Sequence, residues 1–324
     1  MVFLILNMKC SVVVPFHNEE SSVTDLYVRT RTVMESLNRD FEFIFVDDCS
    51  TDRTFALLSE IANLDERVTV VQLRRNYGQT EALVAGFDQA TGEYIISMDG
   101  DLQHNPEDIP TLLEKLDDGY DVVCGRRVAR PGDSVIKKQL PSRIANWMMR
   151  KASGVDVHDF GGGFKGFRTA LVREMPLYGD MHRFIPALAS AYGARIIEVP
   201  IEITQRQHGK SHYGIGRFIP VFFDLLTIPF LLRYATRPMH FFGKLGFLGF
   251  SGSLLLALYL LIDWLAFGAN LMIDHGPLMI FAVALMIAGL QLICLGFVGE
   301  MMARNHHRKS VVRDSEVLRL TRHR

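Results

Sequence analysis

The sequence predicts an α/β protein, a mostly parallel sheet flanked by helices, followed by interfacial helices and an α-helical transmembrane hairpin. Two observations carry that reading. Between residues 11 and 126, short β-branched runs (SVVVP, FEFIFVDD, VTVVQL, YIISMD and DVVCGR) alternate with amphipathic stretches, the order that builds a parallel sheet with helices on both faces. Beyond residue 238 the chain turns apolar: residues 245–262 carry no charge, and in 277–299 the only strongly polar side chain is Gln291. A helix rises about 1.5 Å per residue, so about 20 residues cross a hydrocarbon core roughly 30 Å thick.

Charges on the flanks predict the orientation. Arg233, Arg237 and Lys244 precede the first apolar run, Arg304, Arg308, Lys309 and Arg313 follow the second, and the loop between carries Asp263 and Asp274 with no Lys or Arg. The positive-inside rule then predicts a cytoplasmic-membrane protein with its soluble domain and both termini on the cytoplasmic side. The segment 218–232 (FIPVFFDLLTIPFLL) is apolar almost all round but broken by Pro220 and Pro229, which suits helices lying in the bilayer interface. Residues 1–6 are apolar but too short for a signal peptide, and are expected to extend a strand or to precede a start at Met8. The resulting layout is a soluble domain over 1–215, interfacial helices over 216–238, two membrane helices over 239–303 and a basic tail over 304–324. Gly246, Gly249 and Gly252 allow close helix packing and hence a homo-oligomer through the membrane helices.

Composition excludes several classes. With 324 residues, a formal charge of −1 and no basic cluster in the first two thirds, nothing draws the chain to nucleic acid. Its four cysteines have neither metal-ligand nor CxxC spacing, so no zinc site or disulfide framework is expected. Gly161, Gly162 and Gly163 lack the strand-to-helix context of a dinucleotide fingerprint and read as a turn. Nothing supports His104, His158 or His182 as metal ligands.

The chemistry concentrates after the strands, where ligands of such sheets bind. In DGDLQ (residues 99–103), Asp99, Asp101 and Gln103 alternate directly behind a strand, and strand alternation would turn all three to one side. Hard divalent cations such as Mg²⁺ or Mn²⁺ take oxygen donors of this kind, and a nucleotide diphosphate could complete the shell. Residues 15–19 end the first strand, and acidic Asp47 and Asp48 end the second. Either acid could accept a hydrogen from a nucleobase, whereas Ser50 or Asp52 suits the N-cap of the next helix.

Taken together, VVVPFHNEE, VDDCSTD, RNYGQTEALVAGFDQATG and DGDLQHNPED resemble the polyprenyl-phosphate glycosyltransferases of glycosyltransferase family 2, the group of dolichyl-phosphate mannose synthase. The resemblance continues through GRR at 125–127, QRQHGKSHYG at 205–214 and TRPMHFFG at 236–243, and includes the two C-terminal membrane helices of one branch. It implies a GT-A fold and transfer of a sugar, with inversion, from a nucleotide-diphosphate sugar to a polyprenyl phosphate such as undecaprenyl phosphate. The cofactor would be Mg²⁺ or Mn²⁺, and the product a lipid-linked sugar for cell-envelope modification or glycosylation. Position by position it implies that Pro15, Phe16 and Glu19 line the nucleotide and that Asp47 or Asp48 meets the base. Asp99, Asp101 and Gln103 would hold the metal. Arg206 and Lys210 would close over the diphosphate, and Arg127, Arg143 and Ser211 would meet the acceptor phosphate, with Asp101 and Arg127 central to catalysis. Two rivals remain at this stage. A processive polysaccharide synthase would need a QxxRW motif, which neither Trp147 nor Trp264 supplies, and a non-catalytic nucleotide-sugar-binding scaffold would have no need of these acids.

Overall fold

The computed structural model describes residues 8–127, 146–202 except 148, 152, 178 and 180, 238–306 except 269, and 317–321. The chain divides into two compact units, Met1–Leu225 with Val312–Arg324, and Leu226–Val311. The interfacial segment expected over 216–238 lies outside the described residues apart from Pro238.

In the first unit the elements run β1 (Cys10–Phe16), α1 (Val23–Ser36), β2 (Phe41–Asp47), α2 (Thr54–Leu64), β3 (Val68–Leu73), α3 (Gln79–Gln89), β4 (Tyr94–Ser97), α4 (Ile109–Asp117), β5 (Val122–Arg127), β6 (Lys165–Arg168), α5 (Thr169–Glu174), α6 (Ile185–Ala191) and β7 (Ile196–Ile201). With β8 (Val317–Thr321) these strands form one sheet in the order β7-β5-β6-β4-β1-β2-β3-β8. The expected parallel sheet is thus present as a parallel block β4-β1-β2-β3. Strand β6 runs against both β4 and β5.

Strand β1 is apolar at nearly every position because both of its faces are covered. Cys10, Val12, Val14 and Phe16 join one core cluster with Leu26 and Met34 of α1 and Leu112 and Leu116 of α4. On the opposite face Val13 packs against Gly86 of α3. Cys10 and Cys124 are buried free thiols, and burial pushes each up to about 12.

The segment 317–321, expected as part of a basic cytosolic tail, is the edge strand β8, antiparallel to β3 with Val71 opposite Leu320. The physical reason is the open edge of β3, whose unpaired N–H and C=O groups are satisfied by any extended segment able to reach them. Residues 304–306 likewise end a helix.

The second unit is a helical hairpin, α7 (Pro238–Phe267) and α9 (Gly276–His306), joined through the short α8 (Leu271–Asp274). Both long helices have the length and hydropathy of a membrane crossing, and their outward side chains, such as Phe247, Leu255 and Ile280, are large, apolar and exposed. At the crossing a Cβ on Gly246 would lie 2.6 Å from the Gly289 carbonyl oxygen, and one on Gly289 would lie 2.7 Å from the Phe250 nitrogen. The glycine face therefore packs within the chain and offers no argument for an oligomer. His275 Nε2 and Asp263 Oδ2, 2.7 Å apart, clip the loop end.

One ionic knot ties the layers of the first unit. The Asp65 carboxylate accepts from Arg67 Nε and Nη2, from the Arg67 backbone N–H and from the Tyr27 hydroxyl of α1. Burial opposes ionisation, but the Arg67 bonds, the Tyr27 hydroxyl and the Arg67 charge outweigh it and hold the carboxyl at about 2. A depressed carboxyl stabilises the fold above its ordinary value near 4 and loses that contribution as pH falls through its native value. Asp65→Asn is therefore expected to cost about 2 kcal/mol at neutral pH. In thermal unfolding against pH, the variant and parent curves should converge toward pH 2.

Candidate functional site

The crossovers from β1 go to β2 and β3 on one side and return to β4 on the other. This reversal separates the loops above β1 and β4 and opens a crevice at their carboxyl ends. A cleft of about 260 Å³ lies there, lined by Pro15, Phe16, His17, Glu19, Asp48, Gln79, Ala82, Asp99, Gly100 and Asp101. Of the residues expected in the site, it brings together Pro15, Phe16, Glu19, Asp48, Asp99 and Asp101. Asp47 and Gln103 are not among the lining residues, and Arg143, Arg206, Lys210 and Ser211 lie outside the described residues.

The loops after β1 and β2 are laced to each other. Asn18 N–H donates to Ser50 Oγ, Glu19 N–H to Thr54 Oγ1 and Glu20 N–H to Asp52 Oδ2, while Thr51 and Arg53 N–H groups donate back to Asn18 Oδ1 and Glu20 Oε2. Asp52 also accepts from the Thr54 N–H at the start of α2, while the N-cap position itself is Arg53 and not the expected Asp52 or Ser50. The two acids at the end of β2, Asp47 and Asp48, have separate duties. Asp47 is fully buried and accepts from Ser50 N–H and Gln72 Nε2, which makes it an internal brace. Asp48 accepts from the N–H groups of Tyr77 and Gly78, anchoring the start of α3, and burial raises its carboxyl above the ordinary value.

Phe16 lines the cleft from its floor: its ring is 2% exposed and meets Phe45 edge-on at 5.6 Å. The next residue, His17, is the exposed one. Its Nδ1–H donates to the Asp48 carbonyl while Nε2 accepts from the Asn76 amide, and these partners fix both ring and tautomer.

Strand β4 ends at Ser97, and the acidic motif occupies a turn in which Leu102 takes φ 58°. Strand alternation does not extend through it, which is why Asp99 and Asp101 reach the cleft and Gln103 does not. The turn is held by Ser22 Oγ–H donating to the Gly100 carbonyl and by Gln103 N–H donating to Asp101 Oδ1. Gln79 Nε2 donates to Asp99 Oδ1 at 2.6 Å, and His104 Nε2 lies 3.4 Å from Oδ2. Burial works against the charge of Asp99, but the His104 hydrogen bond and the charges of His104, Lys165 and His182 keep its carboxyl below the ordinary value. Gly163 lies against this carboxylate so closely that a Cβ there would overlap it. Among the described residues no group of three or more His, Cys, Asp or Glu could enclose a metal. The donors suited to an ion are the two cleft carboxylates, hard oxygens with room beside them for ligand oxygens.

At the end of β5, Arg127 makes a bidentate pair with Asp159, Nε to Oδ2 at 2.6 Å and Nη2 to Oδ1 at 3.0 Å. The N–H groups of His158 and Asp159 donate to Glu198 of β7. Lys165, buried below, donates to the Gly162 carbonyl, and burial lowers its ammonium from the ordinary value. Sequence reasoning missed His17, Gln79, His104 and Asp159. Only His17 carried a local signal, as the residue next to Phe16 at a strand end, whereas the others depend on partners distant in sequence.

The family described as Glycosyl transferase family 2 matches residues 11–175. Two curated relatives are each 38% identical to the chain. One is a dodecaprenyl-phosphate galacturonate synthase of Rhizobium johnstonii, aligned over 93% of this chain and 90% of its own. The other is an undecaprenyl-phosphate 4-deoxy-4-formamido-L-arabinose transferase of Pseudomonas paraeruginosa, aligned over 91% and 85%. Among solved structures, glucosyl-3-phosphoglycerate synthase of Mycobacterium tuberculosis with Mn²⁺, uridine-diphosphate-glucose and glycerol 3-phosphate superposes with a TM-score of 0.51. It is 18% identical and covers 69% of this chain and 80% of that one, a likeness of fold that agrees with the expected GT-A architecture. A family match over half of the chain, with relatives that span nearly all of it, establishes that this protein belongs to glycosyltransferase family 2.

Proposed function

We propose that the chain transfers a sugar from a nucleotide-diphosphate sugar to a polyprenyl phosphate, with a divalent cation bound at Asp99 and Asp101. One observation carries the acceptor. The two relatives are named for different sugars, galacturonate and a formamido-arabinose, but both for a polyprenyl phosphate, so the acceptor class is what the shared sequence supports. The cation reading rests on the two cleft carboxylates, and a likeness of fold to a chain solved with Mn²⁺ and a nucleotide sugar is in keeping with it.

In this reading the nucleotide lies across the β1 and β2 loops, with the His17 ring as a face for the base and the diphosphate directed toward Asp99 and Asp101. A divalent ion in that place supplies compensation for charge on the departing diphosphate. The acceptor phosphate oxygen forms a bond to the anomeric carbon from the opposite side as the bond to the diphosphate breaks, which inverts the centre. A phosphate monoester is largely dianionic at neutral pH, its second pKa being about 6, so no protein base is required. Arg127, oriented by Asp159, is the proposed contact for the acceptor phosphate, since a guanidinium presents a planar fork to phosphate oxygens.

The domain layout follows the same reading: a cytosolic transferase domain, interfacial helices at 216–238 and a two-helix anchor. Strand β8 supports a topology with both ends of the anchor on the cytosolic side. It follows the hairpin in sequence yet belongs to the sheet that precedes it, and such a path needs an even number of crossings.

The test is nucleotide diphosphate release by the detergent-solubilised chain with Mn²⁺, undecaprenyl phosphate and a panel of nucleotide sugars. Lipid-dependent release from one donor is expected, abolished by Asp101→Ala; equal release without the lipid rules out the acceptor assignment. A second prediction concerns Gly163. Gly163→Ala forces the Asp99 carboxylate to move by on the order of 1 Å, and turnover is expected to fall about 10²-fold with little change in thermal midpoint.

A further inference from the structure

We infer that His104 is a positioning residue for the Asp99 carboxylate, an assignment that rests on Asp99 and Asp101 as the cation-binding acids. His104 sits five residues beyond Asp99 and is 4% exposed. Its ring lies nearly parallel to that of Phe164, centroids 5.5 Å apart at 18°, so packing fixes the imidazole plane. In that plane Nε2 faces Asp99 Oδ2 at 3.4 Å. A carboxylate can only accept, so it is a hydrogen on Nε2 that could serve Asp99 from this side.

The opposite nitrogen shows what the ring is for. Nδ1 is buried with no hydrogen-bond partner, and a buried polar atom left unpaired costs on the order of 1–3 kcal/mol. A phenylalanine would cover Phe164 as well without that cost. The imidazole thus makes poor sense as packing and good sense as a rigid donor. Asp99 needs one, because its other oxygen is held only by Gln79, an exposed side chain. Gln79 on Oδ1 and His104 on Oδ2 together fix the plane of the carboxylate against Gly163 and aim its remaining lone pairs. Hydrogen bonds to a metal-binding carboxylate typically alter metal affinity by 10- to 100-fold.

The test is a titration of the full-length detergent-solubilised chain with Mn²⁺ alone, read by the electron paramagnetic resonance of free Mn²⁺, with a thermal midpoint for each variant. His104→Phe keeps the aromatic contact and removes the donor; it is expected to weaken Mn²⁺ binding at least tenfold with a midpoint equal to or above that of the parent. His104→Gln returns an N–H near the Nε2 position and is expected to recover most of the affinity. Asp101→Ala is the control on the underlying reading. If Asp101→Ala binds Mn²⁺ like the parent, the cation assignment itself fails. If Asp101→Ala loses binding while His104→Phe keeps it, the cation assignment stands and the positioning role is overturned. A midpoint that falls in both histidine variants, in step with affinity, assigns His104 to packing and also overturns the proposal.

Discussion

The constraint on which this molecule depends is the reversal of winding between β1 and β4. Parallel strands need crossovers, and crossovers that leave one strand in opposite directions cannot cover the end of that strand. The crevice is thus a consequence of strand order, present before any side chain is chosen. The strand-end loops then have to be rigid without covering it. The β1 loop achieves this by bonding sideways to the β2 loop through Asn18, Glu19 and Glu20. Asp48 passes the same rigidity on by seizing the backbone at Tyr77 and Gly78, which delivers Gln79 to the Asp99 carboxylate. The two acids of the β2 end, alike in sequence and both buried, differ in their partners: Asp47 braces Ser50 and Gln72, and Asp48 the backbone at Tyr77 and Gly78.

Much of this was legible in the sequence, for a reason that also sets its limit. Buried parallel strands must be apolar on both faces, so the runs that became β1 to β5 stand out by composition alone, and the polar residues behind them mark the ligand end. Parity at a strand end is less visible. The strand turns the Phe16 ring inward as the floor of the cleft and leaves His17, to which the sequence assigns no role, exposed beside it. Gln103 was grouped with Asp99 and Asp101 by alternation, but β4 stops at Ser97 and the left-handed Leu102 breaks the pattern. The pairing of Arg127 with Asp159 spans 32 residues, and Asp159 is held in turn by Glu198 of β7, contacts that no local pattern forecasts. Strand β8 was hidden by charge: the density of Arg and His around it reads as a basic tail, whereas the segment pairs with the open edge of β3.

The membrane hairpin shows the same division between pattern and partner. Length and apolarity identified both helices, and glycines spaced along the first announced a close contact. What they contact could not be read from one helix. The structure gives the answer in Gly289, where the two backbones meet. Glycine at such a point acts by absence, allowing an approach that any side chain would prevent, and once the hairpin has used that face it is not available for a second chain.

Several energetically unfavourable features lie around the crevice, although buried Arg39 Nη1 and Asp117 Oδ1, near the starts of β2 and β5, also lack a hydrogen-bond partner. Four non-glycine residues among those described have positive φ: Asn18, Asn38, Cys49 and Leu102. Three of them lie in the loops above β1, β2 and β4, and a left-handed backbone costs a residue with a side chain about 1–2 kcal/mol. The buried ammonium of Lys165 and the unpaired Nδ1 of His104 belong to the same end of the sheet. At the opposite end Asp65 accepts from Tyr27 and Arg67, and Arg67 also donates to Glu35. Strain of this kind persists only where the surroundings over-determine it, and it concentrates where a backbone must hold groups in positions that folding alone would not choose. The three left-handed residues above β1, β2 and β4 hold the loops beside which Asp99 and Asp101 meet the cleft.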